Sequence, residues 1–191
     1  MIKATRILDI AFAGALIVLA APIAMLASLF VIMSSSGAPI LLQPRIGLNG
    51  KPFKLFKLRT MIEDAEAGVG PRLASTDDER LVRGGRLLRA LHIDELPQLL
   101  NVLRGEMSLV GPRPERPEFV TALSEQLDDY PRRHDVRPGL TGSAQIAGGY
   151  YMAPKLKLKH DLAYCDEPAL RHYLHALIST PKAIVRDVRL A

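Results

Sequence analysis

Apolar residues dominate the first part of the chain, and shorter periodic segments follow. From residue 10 to residue 44 there is no charged side chain, and residues 10–33 are almost wholly apolar. At ~1.5 Å per residue, about 24 such residues reach across a hydrocarbon core of ~30 Å, so length alone fits a transmembrane span. Two features fit a different course. Pro22, preceded by Ala20 and Ala21, removes a helix hydrogen bond near the middle and favours a bend. Lys3 and Arg6 precede the run, and Arg45, Lys51, Lys54 and Lys57 follow it. Basic residues favour the cytoplasmic face, so both flanks prefer the same side. A helix bent at Pro22 that enters and leaves through one leaflet satisfies both flanks. A Pro-kinked span with a short N-terminal tail stays open on physics alone, because backbone exposed at a bend in lipid needs polar partners. A cleaved signal peptide is disfavoured, since the run is longer than the apolar region of one.

Beyond the small polar residues at 34–37 the periods shorten. Asn49-Gly50, a strong turn dipeptide, separates residues 45–48 from the strand-like 53–58 and predicts a β-hairpin. Residues 63–72, with Gly68, Gly70 and Pro71, read as a loop after a short helical turn. Ser75-Thr76-Asp77-Asp78-Glu79 supplies caps and first-turn acids for a helix running into Arg80, Arg83, Arg86 and Arg89, interrupted at Gly84-Gly85. A second helix is expected from Asp94, as N-cap, through Leu103, with Pro97 in its first turn and Gly105 near its end. Ser108-Leu109-Val110 reads as a strand, and Gly111-Pro112-Arg113-Pro114 as an irregular turn presenting a guanidinium. Residues 115–129 form a polar amphipathic helix of solvated scaffold, and residues 161–186 the last helix. The pattern as a whole predicts an α+β, mostly helical fold. It comprises an N-terminal membrane helix over 1–37 and a small cytosolic domain with a β-hairpin over 38–191.

Composition narrows the partners. Hydrophobic residues make up 48% and aromatics only 5%, with no Trp, and the net charge is +5 with a pI near 9.5. Such a chain suits a phosphate-bearing ligand or an anionic membrane surface. No nucleic-acid module and no aromatic stacking platform is recognisable, so nucleic acid is not an expected partner. The single cysteine, Cys165, excludes an internal disulfide. The spacing of His160, Cys165, His172 and His175 matches no closed zinc site.

Chemistry concentrates around Asp94 and Glu95. An acidic pair at a helix start is most often a cap with a favourable dipole interaction. Here it is preceded by Arg83, Arg86 and Arg89 at helical spacing and followed by the Arg113 turn. Carboxylates alone would repel a polyphosphate ligand; arginines, or a divalent cation held by Asp94, would neutralise it. Lys57 and Arg59 have two readings, as snorkelling interface residues or as ligands of substrate phosphates. Structure is favoured for Lys57, and both readings stay open for Arg59. The run Arg137-Pro138-Gly139-Leu140-Thr141-Gly142 joins a rigid turn to glycines that let backbone N–H groups approach an anion or a base edge.

Asp94-Glu95-Leu96-Pro97-Gln98-Leu99 continuing to Gly111-Pro112-Arg113-Pro114 resembles the signature of the bacterial small monotopic phosphoglycosyl transferases. Gln43, Arg45, Gly47, Gly50, Phe53, Lys57, Arg59 and Met61 are similar to a second family segment, as are Arg80, Gly85, Leu88 and Arg89. Pro138, Gly139, Thr141, Gly142, Ala144 and Gln145 match the loop at the nucleotide end of the family's site. The chain departs from the family at Val82, where a Thr is usual, at the doubled Gly84-Gly85, and at Gly149-Tyr150. It also lacks the tryptophan of the family's last helix, which leaves the sugar open.

The resemblance, over roughly residues 10–148, implies a re-entrant anchor broken at Pro22 and a site at the cytoplasmic face of the bacterial inner membrane. Asp9 would lie in that interface. It implies transfer of a sugar-1-phosphate from a UDP-sugar to a polyprenyl (undecaprenyl) phosphate with release of UMP. That is the first membrane step of glycoconjugate or exopolysaccharide synthesis. A carboxylate can take a phosphoryl group covalently and so divide the transfer into two steps. Asp94 is then the nucleophile, and Glu95 takes a proton or orients the metal. Mg²⁺, held by Asp94, offsets phosphate repulsion. Arg89 and Arg113 are the first-choice phosphate clamps, with Arg59, Arg86, Arg137, Thr141 and Gln145 as further substrate-binding candidates. A homo-oligomer is compatible with this reading. The alternative is a bitopic scaffold whose cytosolic domain binds phosphorylated ligands without catalysis.

Overall fold

The computed structural model describes residues 2–67, 70, 72, 78–148 and 152–190. Helix α1 spans Ile2–Ser34 and includes Pro22, so the proline does not break it into two helices. Apolar residues line every face of α1, yet burial follows a single stripe. Asp9, Ala13, Ala27 and Val31 are buried, whereas Val18, Leu19, Leu26 and Met33 are each about 70–80% exposed. A helix that is apolar all round and covered on one stripe only presents the rest to another apolar phase.

The two ends of α1 dock on the same domain. Near the N-terminus Ala13 joins the main core of Leu55, Leu99, Val102, Met107, Leu109, Tyr164 and Tyr173. Toward the C-terminus Ala27 and Val31 pack with Leu58 and Leu88. Asp9 does not lie in an interface with solvent or headgroups. It is 2% exposed. Its Oδ1 accepts hydrogen bonds from Ser108 Oγ at 2.9 Å, Leu109 N at 2.8 Å and Tyr173 Oη at 2.8 Å. A buried carboxylate is tolerable where several donors replace its lost water. Burial and this bond push the Tyr173 phenol well above its ordinary range.

Strands β1 (Ile40–Ile46) and β2 (Pro52–Leu58) form the predicted antiparallel hairpin, with Ile40 opposite Leu58 and Ile46 opposite Pro52. Asn49 and Gly50 both have positive φ, 55° and 72°, as the turn between right-twisted strands requires. The expected helix through Arg80, Arg83, Arg86 and Arg89 is shorter. Its proposed caps at 75–77 lie outside the described residues, as does the Gly149-Tyr150 departure. Among the described residues Leu81 bridges Met61, and α2 covers only Gly85–Ala90. Gly84, at φ +75°, turns the chain just before α2, and Gly85 lies against the Thr60 carbonyl, where a Cβ would come within 2.6 Å. Arg83 therefore precedes the helix and shares no helical face with Arg86 and Arg89.

A 3-10 segment, Ile93–Gln98, leads into α3 (Leu99–Arg104), which ends at Gly105 in the left-handed region. Strand β3 (Ser108–Val110) pairs in parallel with β4 (Gly139–Thr141), with Ser108 opposite Gly139 and Val110 opposite Thr141. Between them lie α4 (Pro117–Gln126), shorter than expected, and a 3-10 turn, Tyr130–His134. Helix α5 (Ser143–Gly148) follows β4. The expected last helix over 161–186 is two helices, α6 (Pro154–Asp166) and α7 (Leu170–Leu190). Pro168 falls in the gap between them, where it cannot continue a helical ladder.

Candidate active site

Asp94 and Glu95 occupy the first turn of the segment Ile93–Gln98 and are 1% and 7% exposed. Asp94 is not the N-cap. That position belongs to His92, whose φ of 54° reverses the chain after α2. Pro97 supplies no N–H, and the tighter 3-10 winding puts Glu95 and Gln98 on one line, both buried. Gln98 Nε2 is buried with no hydrogen-bond partner among the described residues.

The segment is fixed at its far end and along its side. Arg6 of α1 donates from Nη1 to Val102 O at 2.6 Å and from Nη2 to Leu103 O at 2.8 Å, and Arg137 Nε donates to Gly105 O at 2.9 Å. Val102 O also accepts from Gly105 N at 3.0 Å, and cations beside these last carbonyls suit the negative end of the helix dipole. Asn101, fully buried in α3, accepts from Phe56 N at 3.0 Å and donates to Lys54 O at 2.8 Å and Glu106 Oε2 at 2.7 Å. Its amide thus fastens the edge of β2 to α3.

That junction delivers Lys57 to the dyad. Lys57 Nζ stands 2.7 Å from Asp94 Oδ2. The contact is a close charge pair without hydrogen-bond alignment, and Oδ2 has no hydrogen-bond partner among the described residues. Glu95 is held differently. Arg113 grips both of its oxygens, Nη2 to Oε1 at 2.5 Å and Nη1 to Oε2 at 3.2 Å. Burial pushes the Glu95 carboxyl up, but the bidentate guanidinium and the nearby Lys57 outweigh it and hold it down to about 2.

Three other candidate arginines lie in α2 and just after β2. Arg89 Nε donates to Thr60 Oγ1 at 2.7 Å, which leaves its other N–H groups for a ligand. Arg59 Nε and Nη2 are buried without hydrogen-bond partners among the described residues, and its guanidinium lies against Gly37. Arg86 is exposed on α2.

The parallel pairing of β3 and β4 sets residues 141–145, the end of β4 and the first turn of α5 where a loop was expected, beside the Arg113 turn. Gly142 is so close to Gly111 that a Cβ there would fall 2.1 Å from Gly111 O and 3.0 Å from Gln145 Oε1. Both amide atoms of Gln145 are buried without hydrogen-bond partners among the described residues, while Thr141 Oγ1 accepts from Thr180 Oγ1 at 2.9 Å. Arg186 of α7 secures this segment through Gln145 O at 2.8 Å and Ile146 O at 2.7 Å. The structure therefore gathers Asp94, Glu95 and Arg113, sets Gln145 beside the Arg113 turn, and directs Arg137 to the end of α3.

A structural role is the reading the sequence favours for Lys57, and the structure sets its ammonium against Asp94. A signal existed. Phe53, Leu55 and Lys57 share one strand parity, so a lysine on the face of a core leucine calls for a buried acid. Asn101, polar within an apolar helical run, carries the same kind of signal.

Among the described residues no group of three or more His, Cys, Asp or Glu could hold a metal ion. With Glu95 engaged by Arg113, one protein ligand is on offer, the Asp94 carboxylate. That fits Mg²⁺, which keeps water and takes its other ligands from substrate phosphates. Burial pushes the Cys165 thiol up to about 12, the direction of an inert buried cysteine and the opposite of an activated one.

The sequence model of the bacterial sugar transferase family matches residues 2–187. The chain is 48% identical over 143 residues to a UDP-glucose:undecaprenyl-phosphate glucose-1-phosphate transferase of Caulobacter vibrioides, covering 75% of this chain and 53% of that protein. It is 38% identical over 162 residues to a UDP-N-acetylgalactosamine-undecaprenyl-phosphate N-acetylgalactosaminephosphotransferase of Aeromonas hydrophila, covering 83% and 38%. A UDP-glucose:undecaprenyl-phosphate glucose-1-phosphate transferase of Escherichia coli is 40% identical over 140 residues, covering 73% and 30%. The matched regions thus span about half or less of the length of these relatives.

Proposed function

The chain belongs to the bacterial sugar transferase family, and from that membership and the geometry of the dyad we propose that it transfers a sugar-1-phosphate from a UDP-sugar to a polyprenyl phosphate. The observation that carries the assignment of roles is the unequal treatment of two adjacent carboxylates. Glu95 has both oxygens committed to Arg113, whereas Asp94 Oδ2 has only an ammonium beside it. Asp94 is the group left able to form a new bond.

In the first step an Asp94 oxygen attacks the phosphorus that bears the sugar. The bond from that phosphorus to the bridging oxygen breaks, and UMP leaves. In the second step an oxygen of the polyprenyl phosphate attacks the same phosphorus and frees the carboxylate. Asp94 is 1% exposed, so the donor reaches it only as neighbouring side chains move aside, and Lys57 is the one in contact. Lys57 sets a positive charge against the buried carboxylate and then faces the phosphoryl oxygens that join it. Glu95, held far below neutral pH, orients Arg113 instead of accepting a proton. Arg89 and Arg59 offer N–H groups to the diphosphate, and Gln145 lies toward the nucleotide. Mg²⁺, bound through Asp94 and substrate phosphates, would neutralise charge on the phosphate oxygens.

The arrangement of α1 supports a monotopic anchor at the cytoplasmic face of the inner membrane. A straight crossing would carry one end away from the domain, whereas both Ala13 and Val31 pack into it. The helix then lies in one leaflet with its exposed faces in lipid, and the lipid phosphate meets the site at headgroup level. The direct test is a panel of UDP-sugars with undecaprenyl phosphate in detergent, scored by UMP release. Release with at least one sugar supports the reading; no release from any sugar while the protein stays folded overturns it.

A further inference from the structure

The Arg113 turn is irregular, and Pro112 and Pro114 deprive it of two N–H groups. It makes no ladder of its own, yet its carbonyls are taken one after another by different parts of the fold. Pro112 O accepts from Gly139 N at 2.9 Å and Glu115 O from Ile46 N at 3.0 Å. The two carbonyls between them go to arginine side chains. Arg113 O accepts from Arg133 Nη2 at 2.9 Å, and Pro114 O from Arg45 Nη1 at 2.8 Å.

Both arginines are themselves held. Arg133 is 4% exposed. Its Nε and Nη2 donate to Asp161 Oδ2 at 3.2 and 2.7 Å, and its Nη1 to Tyr130 Oη at 3.0 Å. Arg45 Nη2 donates to Gln43 Oε1 at 2.5 Å, and Nη1 lies 3.7 Å from Glu115 Oε2. A buried charged donor that spends one arm on a backbone carbonyl is costly to desolvate. A fold needing only a filled core would place apolar side chains there. What these two arms secure is two consecutive peptide units, those on either side of the Pro114 Cα, directly after Arg113.

We infer that Arg133, oriented by Asp161, and Arg45, oriented by Gln43, are positioning residues that fix the backbone of Arg113 so that its guanidinium meets the dyad in register for phosphoryl transfer. Neither hydrogen-bonds to Asp94 or Glu95, so each acts through Arg113. The inference rests on the proposed transferase reading and on Arg113 serving as the clamp in it. A misplacement of a catalytic group by about 1 Å can cost roughly 10²-fold in rate, which sets the size of effect to expect.

The test is a double-mutant cycle on UMP release by the full chain, with Arg133→Gln, Arg113→Lys and both together, and the same cycle with Arg45→Gln. Each single variant should lose roughly 10- to 100-fold in kcat with little change in KM for the UDP-sugar. Each double variant should be no slower than Arg113→Lys alone, because the positioning arms have nothing left to position. Losses that multiply in both cycles would overturn the inference, as would Arg133 and Arg45 variants of unchanged kcat. Asp161→Asn, which keeps the shape of the pair and removes its charge, enters the same cycle if Arg133→Gln does not fold. A wild-type chain that releases no UMP would refute the transferase reading itself, an outcome separate from additive losses in an active enzyme.

Discussion

Lys57 Nζ lies 2.7 Å from Asp94 Oδ2, an ion pair between the end of a β-hairpin strand and the first turn of the segment that carries the acidic dyad. Asp94 is almost wholly buried, so removal of the ammonium leaves an uncompensated charge, which costs on the order of 3 kcal/mol. Lys57→Met should therefore lower the melting temperature and reduce kcat by roughly 10²- to 10³-fold, the scale for loss of one preorganised electrostatic partner. Turnover within threefold of wild type would make Lys57 a structural residue only.

The Glu95–Arg113 pair makes stability depend on pH in a defined window. The Glu95 carboxyl is lowered from 4.5 to about 2 in the folded protein. A depressed acid contributes its stability in full above the unfolded value and loses it as pH falls through the folded one. The stability difference between wild type and Glu95→Gln should be constant above about pH 5.5. It should narrow by about 2 kcal/mol between pH 6 and pH 3, as read by denaturant unfolding. A gap that stays constant to pH 3 would show that Glu95 is not held ionised by Arg113.

Asp9 ties α1 to β3 and α7 through one oxygen with three donors. Tyr173→Phe removes one charge-assisted bond and should cost about 1.5–3 kcal/mol. Asp9→Ala leaves three buried donors unpaired and should cost more. Melting temperatures of the two variants check the order, and equal or negligible shifts would contradict it.

The docking of both ends of α1 on one domain predicts one-sided topology. In a Cys165→Ser background, single cysteines at Ala4 and at Ser36 should both react with an impermeant maleimide only in vesicles that expose the cytoplasmic face. Opposite accessibility of the two positions would establish a span across the bilayer.

Much of this arrangement was legible because it is local. Asn49-Gly50 specified the hairpin turn, Gly105 the end of α3, and 108–110 a strand, each through backbone preferences of a few residues. The interruption at Gly84-Gly85 was legible, but among the described residues the helix begins only there, because Gly84 adopts a positive φ and Gly85 packs on the Thr60 carbonyl, a contact made across the fold. Pro168 divides the last helix, and the sequence showed it plainly. Arg113 was legible as a partner of the dyad, whereas the side chains that support the site were not. Lys57, Asn101 and Arg133 act through pairings distant in sequence, and spacing within a segment carries no record of them. Asp9 reads as an interface residue because it stands at the mouth of the apolar segment, whereas Tyr173 and Ser108, far along the chain, donate to its carboxylate.

The proposed reaction makes Asp94 an acyl phosphate carrying the sugar during turnover. Protein mixed with a UDP-sugar in the absence of lipid acceptor, quenched and digested, should carry the mass of one sugar phosphate on the peptide containing Asp94, and Asp94→Asn should carry none. An active enzyme whose Asp94 peptide never gains that mass, or an Asp94→Asn variant that still turns over, would contradict it.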